Sequence, residues 1–346
     1  MRQMGVPTRR LEMKSRFDRK AARALADLCK EWDIDVIHTQ YLRENYIAMR
    51  SKRWNPDVKV VYTSHFIQAN NWHTRLSNRV MDRRQDGVIA VCTAGKAQLI
   101  QNGLDGENIV VVFNGVDPAL WAGGKAQPSA LRRELDVPEG TQVMLCASRF
   151  AEDKGHAFLI GGIRLLKDRT AQPFHLALAG DGPLVDEVKE QVRREGLEHL
   201  VTFLGFREDI GDLLHGSDIY VNASRHEALS FLIIEALACG LPVVVTNMGG
   251  NGDIVNDETG CGLLVEYNNP ADLALALKRM LEHPEEREAF HKGALHAAGT
   301  RFHIDKMVGD TYQLYETVLQ TGRLGGRRPG GLVQGEQQAG KEGIDP

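Results

Sequence analysis

Residues 224–245 read SRHEALSFLIIEALACGLPVVV. The stretch leading into them, DIYVNAS (218–224), is apolar and β-rich, and Val243–Thr246 is again a short, continuous apolar block. Between the two lies a segment of helical composition that carries Glu235 eight positions after Glu227. Strand, helix and strand in about thirty residues, without the polar alternation of a half-solvated sheet, describe parallel strands buried on both faces. The pattern repeats on either side. Strands are predicted at Ile34–His38, Val58–Thr63, Gly87–Val91 and Ile109–Val112. A second set is predicted at Gln142–Ala147, Phe174–Ala179, Val201–Phe203, Asp218–Asn222, Val243–Thr246 and Gly262–Val265, with helices in the gaps. Such alternation implies right-handed crossovers. The segment Val116–Pro138, with Pro118, Gly123, Gly124 and Pro128, interrupts it and reads as a domain boundary.

The 346 residues, 42% hydrophobic and 25% charged, are enough for two domains with ordinary cores. A net charge of −4 disfavours a generally cationic nucleic-acid binder, so no nucleic acid is expected as partner. Five cysteines stand singly with no C-x-x-C, which removes spacing support for structural zinc and fits a reducing, cytoplasmic location. The longest apolar stretch, FLIIEALACGLPVVV, contains Glu235 and Pro242 and is too short to span a bilayer. The first thirty residues are basic, and Phe17, Ala21, Leu25, Leu28 and Trp32 recur within them at helical spacing. That helix reads first as a solvated surface helix and second as a peripheral contact with anionic lipid at the inner face of a membrane.

Three motifs fail on inspection. His226-Glu227 opens like H-E-x-x-H, but Ser230 occupies the second ligand position. CTAGK (92–96) lacks the first glycine and the hydroxyl of a phosphate-binding loop. Gly180-Asp-Gly-Pro offers G-x-G with Val185 in place of a third glycine, leaving an anion cradle at a strand–turn–helix junction. No metal site is expected. In the 224–245 block, Glu227 and Glu235 lie two helical turns apart and can share a face, and Ala228, Leu229 and Ser230 read as opening the helix. Their N–H groups and the helix dipole favour a phosphate. An anion socket beside two hydroxyl-reading carboxylates suits a sugar nucleotide. E-x7-E alone describes many surface helices, but Arg149 and Lys154 follow another strand's carboxyl end, where two cations can clamp a diphosphate.

The ordered blocks ASRFAEDKGH, LALAGDGP, VTFLGF, SRHEALSFLIIEALACGLPVVVT, MGGNGDIV and GLLVE resemble the family-4 retaining glycosyltransferases of the GT-B fold, over roughly residues 34–320. The resemblance implies two Rossmann-like α/β domains facing a cleft: residues 1–125 on the acceptor side, 126–300 binding the nucleotide sugar. It implies a helix at 301–322 packing back on the first domain, and a tail at 323–346 reads as disordered. Transfer of a sugar from a nucleotide-diphosphate donor to a glycan or lipid-linked acceptor is implied, with retention, without metal or cofactor, and with UDP expected ahead of GDP. Arg149 and Lys154 match the diphosphate pair, Glu227 the acid on donor-sugar hydroxyls, and Glu235 the acid on the ribose. Ala228, Leu229, Ser230 and Phe231 match the loop whose amides meet sugar and phosphate. Gly180 and Gly182 match the G-x-G-P turn, Gly205-Phe206 the nucleobase-side turn, and His65, in VVYTSHF, the histidine facing the donor sugar.

The chain departs from the family pattern in places. The E-G-x-G loop reads Glu227-Ala-Leu-Ser230, and G-G-x-x-E reads Gly249-Gly-Asn-Gly-Asp253, a shorter acid. Only about thirty residues precede Ile34, where family members carry a strand, a Gly-rich turn and a helix, so the first domain is expected to be incomplete. Three other functions stay open on these residues: a sugar-nucleotide epimerase or hydrolase, a nucleotide-sugar-binding remnant without turnover, and a membrane-surface adaptor.

Overall fold

Where the continuous apolar runs stand, the chain forms strands, and these divide into two all-parallel sheets. The structure, a computed structural model, describes residues 5–123 and 129–325. The first sheet is β1 (Val36–Thr39), β2 (Lys59–Ser64), β3 (Gly87–Ala90) and β4 (Ile109–Val111), in that spatial order. The second comprises β5 (Gln142–Ala147), β6 (Phe174–Ala179), β7 (Val201–Gly205), β8 (Ile219–Asn222), β9 (Val243–Thr246) and β10 (Gly262–Val265). Its order is β10-β9-β8-β5-β6-β7, reversing direction between β5 and β8. Every strand falls on a predicted run. β1 starts later than expected because the Ile34 N–H closes the preceding helix on the Cys29 carbonyl at 2.8 Å. The second sheet is buried on both faces. Ile233, Leu237, Val243 and Val245 pack in one cluster, and Leu159, Ile163, Leu176 and Val244 in another. Because all strands in each sheet run parallel, the loops after β2, β5 and β8 leave from carboxyl ends, and these loops carry His65, Arg149 and Glu227.

The first helix, Arg19–Glu31, is capped by Asp18, whose carboxylate accepts the N–H groups of Lys20 and Ala21. Its buried face is Ala21, Ala22, Ala26 and Cys29, and it packs against the helix Leu42–Ser51. Phe17 lies before the helix and Leu28 outside the buried seam, which corrects the expected apolar stripe. The alanine seam faces protein, and the basic residues Arg19, Lys20, Arg23 and Lys30 stay exposed on the outer face.

After the second domain the chain crosses back. Val116 donates to the Phe302 carbonyl at 2.9 Å and accepts from the Ile304 N–H at 2.8 Å. The helix Ile304–Thr321 then lies on the first sheet, with Leu314 and Val318 packed among Val61, Ile89 and Val112. Residues 323–325 are also held. The Arg323 guanidinium meets Asp82 at 2.7 Å and Asp105 at 3.1 Å, and the Leu324 N–H donates to the Asp86 carbonyl at 2.7 Å. The tail expected to be disordered from residue 323 is therefore anchored at its start, and 326–346 lie outside the described residues.

Leu314→Ala should lower stability by about 2–5 kcal/mol, the usual cost of truncating a buried leucine. A denaturant titration reads it, and an unchanged midpoint would mean the helix contributes nothing to the first domain.

Candidate active site between the two sheets

A cleft of about 690 Å³ opens between the sheets, walled on one side by His65–Ala69 and on the other by Asp153, Lys154, Arg225–Leu229, Met248 and Gly249. Glu227 is its best-held charge. Its Oε1 accepts from Lys154 Nζ at 2.7 Å and from Ser224 Oγ at 2.8 Å. The side chains of Lys154 and Glu227 are only 21% and 12% exposed, so the pair is mostly desolvated. Lys154 closes a short turn, Glu152–Lys154, after β5, and Glu227 stands in the loop after β8. The order of β5 and β8 in the sheet makes these loops neighbours.

Glu227 and Glu235 do not share a helix face. The helix runs Phe231–Ala238 with Ser230 as its N-cap, so Glu227 stands in the preceding loop and Glu235 on the second turn. Ala228 and Leu229 likewise precede the helix instead of opening it. Ser230 makes no side-chain cap bond, and the first N–H groups of the helix are the ones left for an anion. Burial raises the carboxyl pKa of Glu235 above its ordinary 4.5. Among the described residues its side chain has no hydrogen-bonded or ionic partner.

The loop is fixed from beneath. A Cβ at Gly249 would fall 1.7 Å from the Glu227 carbonyl oxygen, and one at Gly250 would fall 1.9 Å from that of Ala228. Only glycine lets the backbone approach so closely. From across the cleft, Asn114 Nδ2 donates to the Leu229 carbonyl at 3.1 Å. Asp253 accepts from the Thr93 N–H at 2.7 Å and from the Thr93 hydroxyl, at the start of the helix Thr93–Gln101. The sequence reading missed Asn114, Thr93 and Ser224 as site-building groups, and noted Asp253 only as a shortened acid. The glycine pair was the signal available for the close approach.

The other predicted residues lie around this centre. His65 lines the cleft, its Nε2 2.6 Å from Gln40 Oε1. With the amide oxygen accepting, the ring proton sits on Nε2, and burial lowers the pKa, favouring the neutral ring. Arg149 is 69% exposed with one loose contact, 3.6 Å to Asp153, and is not part of the cleft wall. Gly180 and Gly182 do not form an open anion cradle. A Cβ at Gly180 would meet the Ser148 carbonyl at 2.0 Å, and one at Gly182 the Phe150 carbonyl at 2.4 Å. The turn they make packs under the Arg149 loop, with Phe150 N–H donating to the Asp181 carbonyl at 2.9 Å. Gly205 accepts from the Gly180 N–H at 2.7 Å, which sets exposed Phe206 at the end of β7 beside that turn. Phe231 faces a neighbouring cavity of about 410 Å³ that shares His65 as a wall. Among the described residues no three His, Cys, Asp or Glu side chains cluster in a metal-holding arrangement.

Residues 129–296 match the family model for group 1 glycosyl transferases, and residues 1–120 match that for glycosyltransferase family 4. Similar proteins include the Bacillus subtilis glycosyltransferase EpsF, 29% identical over 65% of this chain and 59% of that protein. The N-acetyl-alpha-D-glucosaminyl L-malate synthase of Bacillus anthracis is 23% identical over 89% of this chain and 81% of its own length. A Rickettsia africae glycosyltransferase structure superposes with a TM-score of 0.82 at 23% identity, covering 92% of this chain and 86% of that one. Anabaena Alr3699/HepE in complex with UDP-glucose superposes at 0.72 with 26% identity, covering 86% and 81%. With its two parallel sheets facing a cleft and both halves matched by family models, the chain belongs to the family-4, group 1 glycosyltransferases, enzymes of the GT-B fold.

Proposed function

We propose that the cleft binds a nucleotide-diphosphate sugar, with UDP as the first candidate, and transfers the sugar with retention to a hydroxylated glycan or lipid-linked acceptor without a metal ion. The observation that carries this reading is the convergence of Lys154, Glu227 and His65 on one cleft at the carboxyl edges of two sheets. The UDP and UDP-glucose complexes of HepE support the choice of donor.

In the ligand-free chain Lys154 and Glu227 satisfy each other. A diphosphate offers the ammonium a doubly charged partner, and exposed Arg149 and the open N–H groups of the helix Phe231–Ala238 add to the pull. As Lys154 turns to the phosphates, Glu227 is released to accept sugar hydroxyls. Glu235 accepts from the ribose, and exposed Phe206 stacks on the base. His65 orients the sugar from the opposite wall, its Nε2–H exchanging Gln40 Oε1 for a sugar oxygen. In the transfer step the C1–phosphate oxygen bond breaks, and the acceptor oxygen bonds to C1 on the same face. The acceptor proton passes to the departing diphosphate. Preorganised donors to such a leaving group are worth about 2.7–4 kcal/mol each.

Glu227→Gln should lower transfer about a hundredfold or more without weakening the affinity for free UDP, because Lys154 then has no carboxylate to leave when it meets the phosphates. The assay uses UDP-hexose and a panel of lipid-linked and glycan acceptors in the presence of EDTA, with product anomeric configuration read by NMR. Unchanged turnover would sink the role of Glu227. An inverted product or loss of activity in EDTA would overturn the retaining, metal-free reading. Binding without any turnover would favour the remnant.

The pH dependence has a definite sign. Glu235 must be ionised to accept two ribose hydroxyls, and burial raises its pKa. UDP affinity should therefore fall on acidification, beginning at a higher pH than an ordinary glutamate would give, and Glu235→Gln should flatten that fall. For the unliganded fold the same shift works the other way. The folded form holds this proton more tightly than the unfolded chain, so the group's contribution to stability declines as pH rises through its raised pKa. Calorimetric titrations across pH separate the two, and equal pH dependence in wild type and variant would contradict the ribose assignment.

A further inference from the structure

The helix Trp72–Met81, WHTRLSNRVM, is inverted relative to a soluble helix. Its buried positions are polar, Thr74 and Asn78. The Asn78 amide oxygen accepts from the Tyr46 hydroxyl at 2.6 Å, and its nitrogen donates to the Asn102 carbonyl at 2.9 Å. Its apolar positions face outward. Trp72, Leu76 and Val80 are 67%, 56% and 65% exposed, and at i, i+4 and i+8 they form one stripe. Arg75 and Arg79 flank the stripe, and Arg83 and Arg84 follow it. The only acid in residues 72–84 is Asp82, which is buried and bonded to Arg323. At the Val80 end the stripe runs into a pocket of about 290 Å³ walled also by Arg19, Arg50, Arg53, Trp54 and Arg84. Arg19 and Arg53 lie 5.8 and 6.0 Å from the Trp54 ring centre. Among the described residues none of these seven arginines forms a salt bridge with an acid.

A contiguous apolar stripe in water is unfavourable, and so is a set of uncompensated like charges. One surface relieves both: hydrocarbon beneath Trp72, Leu76 and Val80, with anionic groups at the level of the arginines. We propose that this face of the first domain docks on an anionic lipid bilayer. A nucleic acid would meet the charge and leave the stripe in water. The docking face adjoins the candidate site, because Trp72 follows closely on His65–Ala69, the segment that walls the donor cleft. Docked this way, the cleft mouth sits near the headgroups, where a lipid-linked acceptor would present its hydroxyl. That last consequence rests on the glycosyltransfer reading; the docking itself does not.

The test is flotation of the full chain with phosphatidylcholine vesicles and with vesicles that also contain phosphatidylglycerol. Binding is expected only to the anionic vesicles, and it should weaken steeply as salt is raised. Leu76→Asp/Val80→Asp and Arg75→Gln/Arg79→Gln should each reduce the bound fraction about tenfold or more. The substituted side chains are exposed, so melting temperature should stay unchanged, as should any stabilisation of the fold by UDP. That second readout separates failure of the docking from failure of the donor site. The proposal is overturned if the wild type does not float with anionic vesicles at low salt, or if either double variant floats like the wild type. Equal binding of wild type and Leu76→Asp/Val80→Asp to heparin and to vesicles would overturn it as well, since the surface would then be a generic polyanion binder.

Discussion

The candidate site depends on a close approach of backbone to backbone. The Glu227 and Ala228 carbonyls rest against Gly249 and Gly250 at distances that leave no room for a Cβ. This contact fixes a loop that would otherwise be a free connection between β8 and the helix Phe231–Ala238. With the loop fixed, the Glu227 carboxylate meets Lys154, the Leu229 carbonyl meets Asn114, and the helix start is left open to an anion. A substitution at Gly249 or Gly250 would move all three together. The same segment continues to Asp253 and its bonds to Thr93, so the floor of the site is also a bridge between the domains.

The Lys154–Glu227 pair gives the empty site its electrostatic character. Removing one member of a mostly buried pair typically costs about 3–5 kcal/mol, because the other charge is stranded. The resting protein avoids that cost by pairing the two groups that the proposed reading places on adjoining parts of a sugar nucleotide, the diphosphate and the sugar. A ligand that offers only hydroxyls must compete with an ammonium 2.7 Å away, whereas one that offers phosphate draws the ammonium off first. Discrimination in favour of diphosphate-bearing ligands follows from the pair alone.

The strands were legible because both faces of the second sheet are buried, so Val143–Ala147 or Val243–Thr246 cannot afford polar alternation. The acids were legible as a spacing, but their helical relation was misread. Ser230 stands just before the Phe-Leu-Ile-Ile run and marks the true N-cap, a signal present in the sequence. Groups that meet only through the tertiary fold left no local trace. Thr93 and Asp253 are 160 residues apart, and Asn114 and Leu229 are 115 apart. The G-x-G turn illustrates a different limit: its glycines signal close approach, but not whether to a ligand or, as here, to the carbonyls of Ser148 and Phe150. Periodicity likewise found an amphipathic pattern in the first helix without showing which side faces protein.

The central claim is that the cleft recognises a nucleoside diphosphate through its charge. Thermal melts of the full chain with UDP, GDP, ADP and uridine test it most directly. At about a hundredfold excess over its dissociation constant, a bound ligand adds about 2.7 kcal/mol of stability, or several degrees for domains of this size. The account predicts such a rise with a nucleoside diphosphate, UDP foremost, and none with uridine. A cooperative melt that no nucleoside diphosphate shifts, or an equal rise with uridine, would contradict it.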